Sequence, residues 1–257
     1  MGDTKPDLYP GSIRGGGKDS DLYAKAKRAM WAEIISGGTG LFLTFFIMMH
    51  LTLESSILLG DNVYQIIVDL MEGKLPLAQV LIFVITIAFF IHFIYASRKI
   101  PAKLAERRKM KELGLSLKKS SSQWNQPPSE IQLKKHFETG LWLWQVRTGM
   151  IVLALGSFHL FLVAWNIFTN MGFADNSGLA AQISKSRVQS GLWLLYLGLG
   201  ITVVVHMSIG IYRLAVKWVS DSWFDRKKAY LVCRLLLFIF IMLNIAAVLG
   251  LAGKLKF

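Results

Sequence analysis

Four histidines, His50, His92, His159 and His206, each fall inside a separate long apolar run. A fifth, His136, sits beside Lys134 and Lys135 and reads as an ordinary interfacial residue. Ionisable groups in hydrocarbon surroundings are expensive and usually functional. One such histidine is most often a core residue bonded to a neighbouring carbonyl, but four on four different runs point to chemistry. Neutral imidazole is a metal ligand through either ring nitrogen. A catalytic zinc or di-iron centre would want histidines and carboxylates gathered at one level. Here the acids in or beside the runs are Glu33, Glu54, Asp69, Glu72 and Glu138, mostly near the ends. Cys233 is the single cysteine, so neither an intramolecular disulfide nor a cysteine-ligated iron–sulfur cluster is expected within this chain.

The elements that must carry these histidines are helices. Hydrophobic residues make up 53% of the 257 and charged residues only 18%, and the apolar stretches exceed the roughly 20 residues that cross a ~30 Å hydrocarbon layer. The pattern predicts an all-α integral membrane bundle of five transmembrane helices, near 27–58, 76–100, 139–170, 187–219 and 229–253. Residues 1–26 form a polar N-terminal segment without an early apolar stretch, so the first helix is expected to direct insertion itself. Residues 27–257 form the membrane domain, with a basic connection over 98–138. Helix one opens in an amphipathic segment, Ala24 to Glu33, expected to emerge from the bilayer. Pro76 suits a first helical turn, and Pro101 marks where the second helix stops or kinks. The stretch from Ser120 to Pro128 has loop composition. Trp142, Trp144, Trp165, Trp193, Trp218 and Trp223 lie near helix ends, as interfacial anchors do. No internal repeat stands out.

The net charge of +13 is unevenly placed. Lysines and arginines crowd the N-terminal segment, the 98–138 connection and the fourth-to-fifth turn. The other two connections carry only Lys74 in one, and Lys185 and Arg187 in the other. This alternation is the positive-inside pattern, which predicts a cytoplasmic N-terminus and a periplasmic C-terminus. Nucleic-acid binding is not expected, because no recognition fold or stacking module accompanies the charge. The basic connection has two readings of equal weight: a solvated loop touching anionic lipid, or a docking surface for a soluble cytoplasmic partner.

Helix direction then sorts the histidines by depth. His92 lies about eight residues, or ~12 Å, before the cytoplasmic end of its helix, and His206 about thirteen residues before the end of a longer one. His50 and His159 lie near the outer ends of theirs. This gives an inner pair, His92 with His206, and an outer pair, His50 with His159, each drawn from two helices. Two imidazoles on opposite faces of a haem iron need that arrangement, and closing both axial positions favours electron transfer over oxygen chemistry. Without a C-x-x-C-H motif, two noncovalent b-type haems are expected.

Neighbouring residues fit. Gly156 is three before His159 and Gly210 four after His206, on the histidine faces, where a flat macrocycle could approach. Lys99 is seven after His92, and Arg213 and Lys217 are seven and eleven after His206, so these cations share the faces too. Cations snorkelling to the rim would also explain them, but the shared face favours contact with haem propionates.

The run Gly210-Ile211-Tyr212-Arg213-Leu214-Ala215-Val216-Lys217-Trp218 after His206, with Gly156-Ser157-Phe158-His159-Leu160, closely resembles the dihaem cytochrome b subunit of quinol:fumarate reductases, a branch of the succinate:quinone oxidoreductases. The resemblance spans about Gly37 to Gly253. It implies a multi-pass anchor in the bacterial cytoplasmic membrane, holding a flavoprotein and an iron–sulfur protein on the cytoplasmic face. FAD and iron–sulfur clusters would reside on those partners, as would the dicarboxylate chemistry of the oxidoreductase, and a dimer of such heterotrimers is admitted. Electrons would pass between a membrane quinone, menaquinol being the form expected, and the partners by way of two haems. By resemblance His92 and His206 hold the proximal haem and His50 and His159 the distal one. Lys99, Trp142 and Lys217 match positions near the proximal haem, and Arg187 a basic position near the distal propionates. Glu72, twenty-two residues after His50, matches an acidic position at the quinol-oxidation site, where a carboxylate accepts a hydroquinone proton. Asp69 is its nearby competitor.

One departure matters. Some members carry a glutamate two residues before the histidine that corresponds to His206, and here that position is Val204. A proton route through it is not expected. Two rival readings remain open at this point: a dihaem cytochrome serving another respiratory dehydrogenase, and a haem-free transporter or scaffold whose histidines bond between helices.

Overall fold

A computed structural model describes residues 16–70, 77–123, 137–171, 179–219 and 225–255. Glu72, Pro76, His136, Trp223 and the 124–128 stretch lie outside the described residues. Among the described residues there are helices and no strand. Helix α1 is Gly16–Glu54, continued by a 3-10 turn at Ser55–Leu59; α2 is Asp61–Val68; α3 is Leu77–Ser97; α4 is Ile100–Gln123. Helix α5 is Phe137–Asn166, ending in a wide π turn at Ile167–Met171; α6 is Leu179–Arg187; α7 is Trp193–Trp218; α8 is Arg226–Leu251.

Among the described residues, five helical stretches are long and apolar enough to cross a membrane: Ser20–Leu59, Val80–Leu117, Glu138–Thr169, Ala181–Trp218 and Arg226–Leu251. Large apolar side chains point outward from them. Phe45, Ile87 and Phe238 are 64%, 60% and 61% exposed, a surface suited to lipid rather than water. Helix α1 packs along α3, and α5 along α7, while α8 lies on the other side of α7. Two apolar clusters close the bundle. One joins Ile57, Tyr64 and Val68 to Ala247, Val248 and Leu251, and the other joins Val204, Met207 and Phe240.

The structure departs from the sequence reading in three connections. Residues 100–123, expected as part of a loop, form α4, and Ser120–Gln123 are its last turn rather than loop. The segment is rich in Lys, Arg, Leu, Met, Ala and Glu, all strong helix formers, so propensity carries a helix even without an apolar stripe. The break expected before Pro101 does occur, at Arg98–Lys99, and Pro101 falls in the first turn of α4 where its missing N–H costs nothing. The fourth span is also interrupted. Gly191 has φ 100° and ψ −7°, a left-handed conformation that bends the chain between α6 and α7. Third, the link after α1 is folded: Gly60, with φ 108°, turns the chain into α2. Helix α1 itself begins at Gly16, because the Ala-Lys-rich segment before Met30 extends it. Helix α8 starts where Asp225 caps it, its carboxylate accepting from the Lys227 N–H at 2.8 Å.

Paired histidines as the candidate functional site

His92 comes from α3 and His206 from α7, and their ring centroids are 6.3 Å apart with the planes at 86°. His50 from α1 and His159 from α5 are 6.4 Å apart with the planes at 40°. The pairs are those the depth argument selected. A metal–imidazole bond of about 2 Å, with roughly 1.2 Å from nitrogen to ring centre, sets two axial imidazoles about 6 Å apart by centroid. Both couples have the separation of rings that face one another across a single metal atom.

The ring tautomer follows from the hydrogen bonds of the first couple. His92 Nδ1 lies 3.0 Å from the Ser36 carbonyl and 3.4 Å from Thr39 Oγ1. His206 Nδ1 lies 3.0 Å from the Gln145 carbonyl and 3.3 Å from Thr148 Oγ1. A carbonyl only accepts, so each Nδ1 carries the proton and each Nε2 keeps its lone pair for a metal. The threonine hydroxyl protons are used elsewhere, in bonds to the Ile35 and Trp144 carbonyls at 2.7 and 2.8 Å. Both threonine oxygens can therefore share the Nδ1–H as acceptors.

Close approach of the helices makes these contacts available. A Cβ on Gly40 would lie 2.8 Å from His92 Cε1, and one on Gly149 would lie 2.9 Å from His206 Cε1. A short repeat underlies this match. Thr39-Gly40 precedes His50 as Thr148-Gly149 precedes His159, with histidine ten residues after glycine in both. Each of α1 and α5 thus cradles a histidine of its packing partner and presents one of its own. This repeat of three residue types escaped the sequence reading, although the Thr-Gly spacing was there to be found. Gly156 and Gly210 line the same cavity, packed against Phe89 and Gln145 rather than against a histidine.

One cavity of about 620 Å³ is lined by all four histidines. Its basic end is closed by Lys99 and Lys217, both paired with Glu33. Arg213 donates to the Gln145 side-chain carbonyl there, and Trp142 carries Lys103 5.7 Å above its ring. The five cavity positions named from sequence around the histidines, Lys99, Trp142, Arg187, Arg213 and Lys217, all line it. Arg187 is at the far end, and its Nε is buried without a partner among the described residues. His159 Nδ1 is likewise buried without a partner, while its ring meets Tyr196 edge-on at 5.4 Å. His50 stacks on Phe46 at 5.5 Å. Sequence reasoning assigned no role to Glu33, which sits between two of the cations, nor to Gln145 and Lys103. No group of three or more His, Cys, Asp or Glu suited to a metal ion occurs among the described residues. The donor set is thus two imidazole couples in an elongated, mostly apolar cavity with cations at both ends, which fits two flat, carboxylate-bearing iron macrocycles.

The family profile described as succinate dehydrogenase/fumarate reductase transmembrane subunit matches residues 125–243. The chain is 30% identical over 215 residues to the fumarate reductase cytochrome b subunit of Helicobacter pylori, covering 80% of this chain and 71% of that protein. It is 32% identical over 194 residues to the fumarate reductase cytochrome b subunit of Wolinella succinogenes, covering 73% and 65%. With its five apolar helices, the chain belongs to the succinate dehydrogenase/fumarate reductase transmembrane subunits, as a cytochrome b membrane anchor of the fumarate reductase type.

Proposed function

We propose that this subunit carries electrons between a membrane quinone, menaquinol in the reducing direction, and cytoplasmic iron–sulfur and flavoprotein partners that interconvert fumarate and succinate. The observation that carries the proposal is the two histidine couples, at 6.3 and 6.4 Å, in one cavity that runs along the bundle. His92 and His206 would hold one haem b, and His50 and His159 the second, both noncovalently. Haem with two imidazole ligands supplies one-electron transfer, with no open position for oxygen.

The chain's own residues do the positioning. The Ser36 and Gln145 carbonyls hold the imidazole Nδ1–H groups and so aim Nε2 into the cavity. Lys99, Lys217, Arg213 and Trp142 would receive propionates at the basic end, and Arg187 at the far end. Glu72 would accept a hydroquinone proton. The basic end faces the cytoplasm of a bacterial inner membrane in this reading, which puts the exposed cationic helix α4 where soluble partners dock. The likeness to fumarate reductase cytochrome b subunits supports that assignment of partners, with FAD and iron–sulfur clusters on them, and a dimer of heterotrimers is a compatible assembly.

A reduced-minus-oxidised spectrum with haem quantitation tests the proposal. It is run on the purified chain and on His50→Ala, His92→Ala, His159→Ala and His206→Ala. About two haems b per chain, with loss in every variant, is the expected result. A folded chain without haem would sink it and return the histidines to transport or helix packing.

A further inference from the structure

Glu54 closes α1 one helical turn beyond His50, about 6 Å further along the axis, and lines the far end of the four-histidine cavity. Its Oε2 accepts a hydrogen bond from Tyr64 Oη at 3.2 Å. Tyr64 is completely buried in α2, in the apolar cluster with Val68 and Leu251. Lys185 Nζ stands 5.8 Å over the Tyr64 ring but is engaged by Asp61 at 2.6 Å. No ion pair engages the Glu54 carboxylate among the described residues. The other titratable or charged groups at this end are His50 on α1, His159 on α5, Arg187 closing α6 and Tyr196 on α7. α3 and α8 contribute apolar side chains and Asn244 here.

A carboxylate held by one neutral donor, open to a cavity and beside an electron-transfer ligand, is equipped to exchange a proton. We propose that Glu54 is a proton-exchanging carboxylate of the quinone site, with Tyr64 as its positioning residue. The inference rests on the proposed function and deepens it. Oxidising a hydroquinone breaks two O–H bonds and releases two protons and two electrons. Glu54 takes one proton as its carboxylate becomes a carboxylic acid, and the second goes to water. The two electrons would leave one at a time for the ferric haem that His50 and His159 would hold, which would be the oxidant of the step. Glu54 then returns its proton to water on the far side, and runs the same sequence backwards when quinone is reduced. Placing both the proton acceptor and the iron ligand on one helix keeps their separation constant while a substrate enters.

The test uses the assembled, haem-loaded complex and a short-chain naphthoquinol, mixed rapidly while the haem band is followed. Glu54→Gln should slow haem reduction at least ten-fold with haem content equal to the parent, which serves as the folding control. Tyr64→Phe should retain haem and lower the limiting rate of haem reduction several-fold, with the naphthoquinol concentration for half-maximal rate unchanged. A merely structural Tyr64 would lower haem content instead. Parent-like rates in both variants overturn the inference. If Glu72→Gln alone abolishes reduction while Glu54→Gln does not, the inference fails and the proposed function stands. If the parent complex holds no haem, or naphthoquinol does not reduce it, both fail.

Discussion

Gly40 lies against the imidazole of His92 so closely that a single added methyl would sit 2.8 Å from ring carbon Cε1. The ring cannot yield without giving up its 3.0 Å bond to the Ser36 carbonyl. Gly40→Ala, and by the same geometry Gly149→Ala against His206, should displace a ligand ring. Haem quantitation on either variant should fall from about two to about one haem per chain, with the remaining haem keeping its spectrum. Full occupancy in both would show that the glycines do not shape the site.

Thr39 and Thr148 would act one step further from an iron held by His92 and His206. Replacing either with valine keeps the shape but removes the oxygen that shares the Nδ1–H, at 3.4 and 3.3 Å. Outer partners of this kind typically govern about ten-fold in affinity. Transfer of haem to an excess of a scavenging apoprotein should therefore be roughly ten-fold faster for Thr39→Val or Thr148→Val. Thr→Ser variants, which restore the oxygen, should recover the parent rate.

The two couples differ in ring orientation, 86° against 40°. Axial imidazole planes govern the splitting of the ferric iron d orbitals, so perpendicular and inclined rings give different low-spin signals. Electron paramagnetic resonance of the oxidised protein should show two distinct low-spin species. His92→Ala should remove the more anisotropic one, and His159→Ala the other. A single signal that either variant halves would contradict the geometry.

Glu33 holds both Lys99 and Lys217. As partly exposed pairs these are worth at most about 1 kcal/mol each for the fold. Their larger consequence is competition: a propionate entering the basic end must share the lysines with Glu33. Glu33→Gln should slow haem loss from the His92–His206 site, and the double variant Lys99→Met, Lys217→Met should accelerate it. Equal rates in all three proteins would assign the lysines to rim snorkelling alone.

Gly200 of α7 is in direct contact with the side chain of Asn244 of α8. Gly200→Ala overpacks that contact and should destabilise the bundle by about 1–3 kcal/mol, read as a lower thermal midpoint in detergent. Adding Asn244→Ala should restore part of the loss, since the second change removes the obstructing amide. No recovery would place the strain elsewhere.

What the sequence determined by itself is the one-dimensional part of the problem. Bilayer thickness and a 1.5 Å rise convert five apolar runs into five spans, and position along a span into depth. Depth is enough to pair His92 with His206 and His50 with His159, because ligands of one metal must share a level. Helix α4 stayed hidden because its composition is as polar as a loop, and only summed helix propensity distinguishes the two. The bend at Gly191 stayed hidden because a glycine is compatible with either straight or left-handed backbone. Tertiary structure alone decided which faces meet. Thr39 and Gly40 have meaning only once α1 lies on α3, and Glu33 only once Lys99 and Lys217 arrive from two other helices. Glu54 and Tyr64 meet because Gly60 turns α2 back onto the end of α1. Rotation of a helix about its axis is set by packing against neighbours, and a sequence carries that information only jointly across all of them.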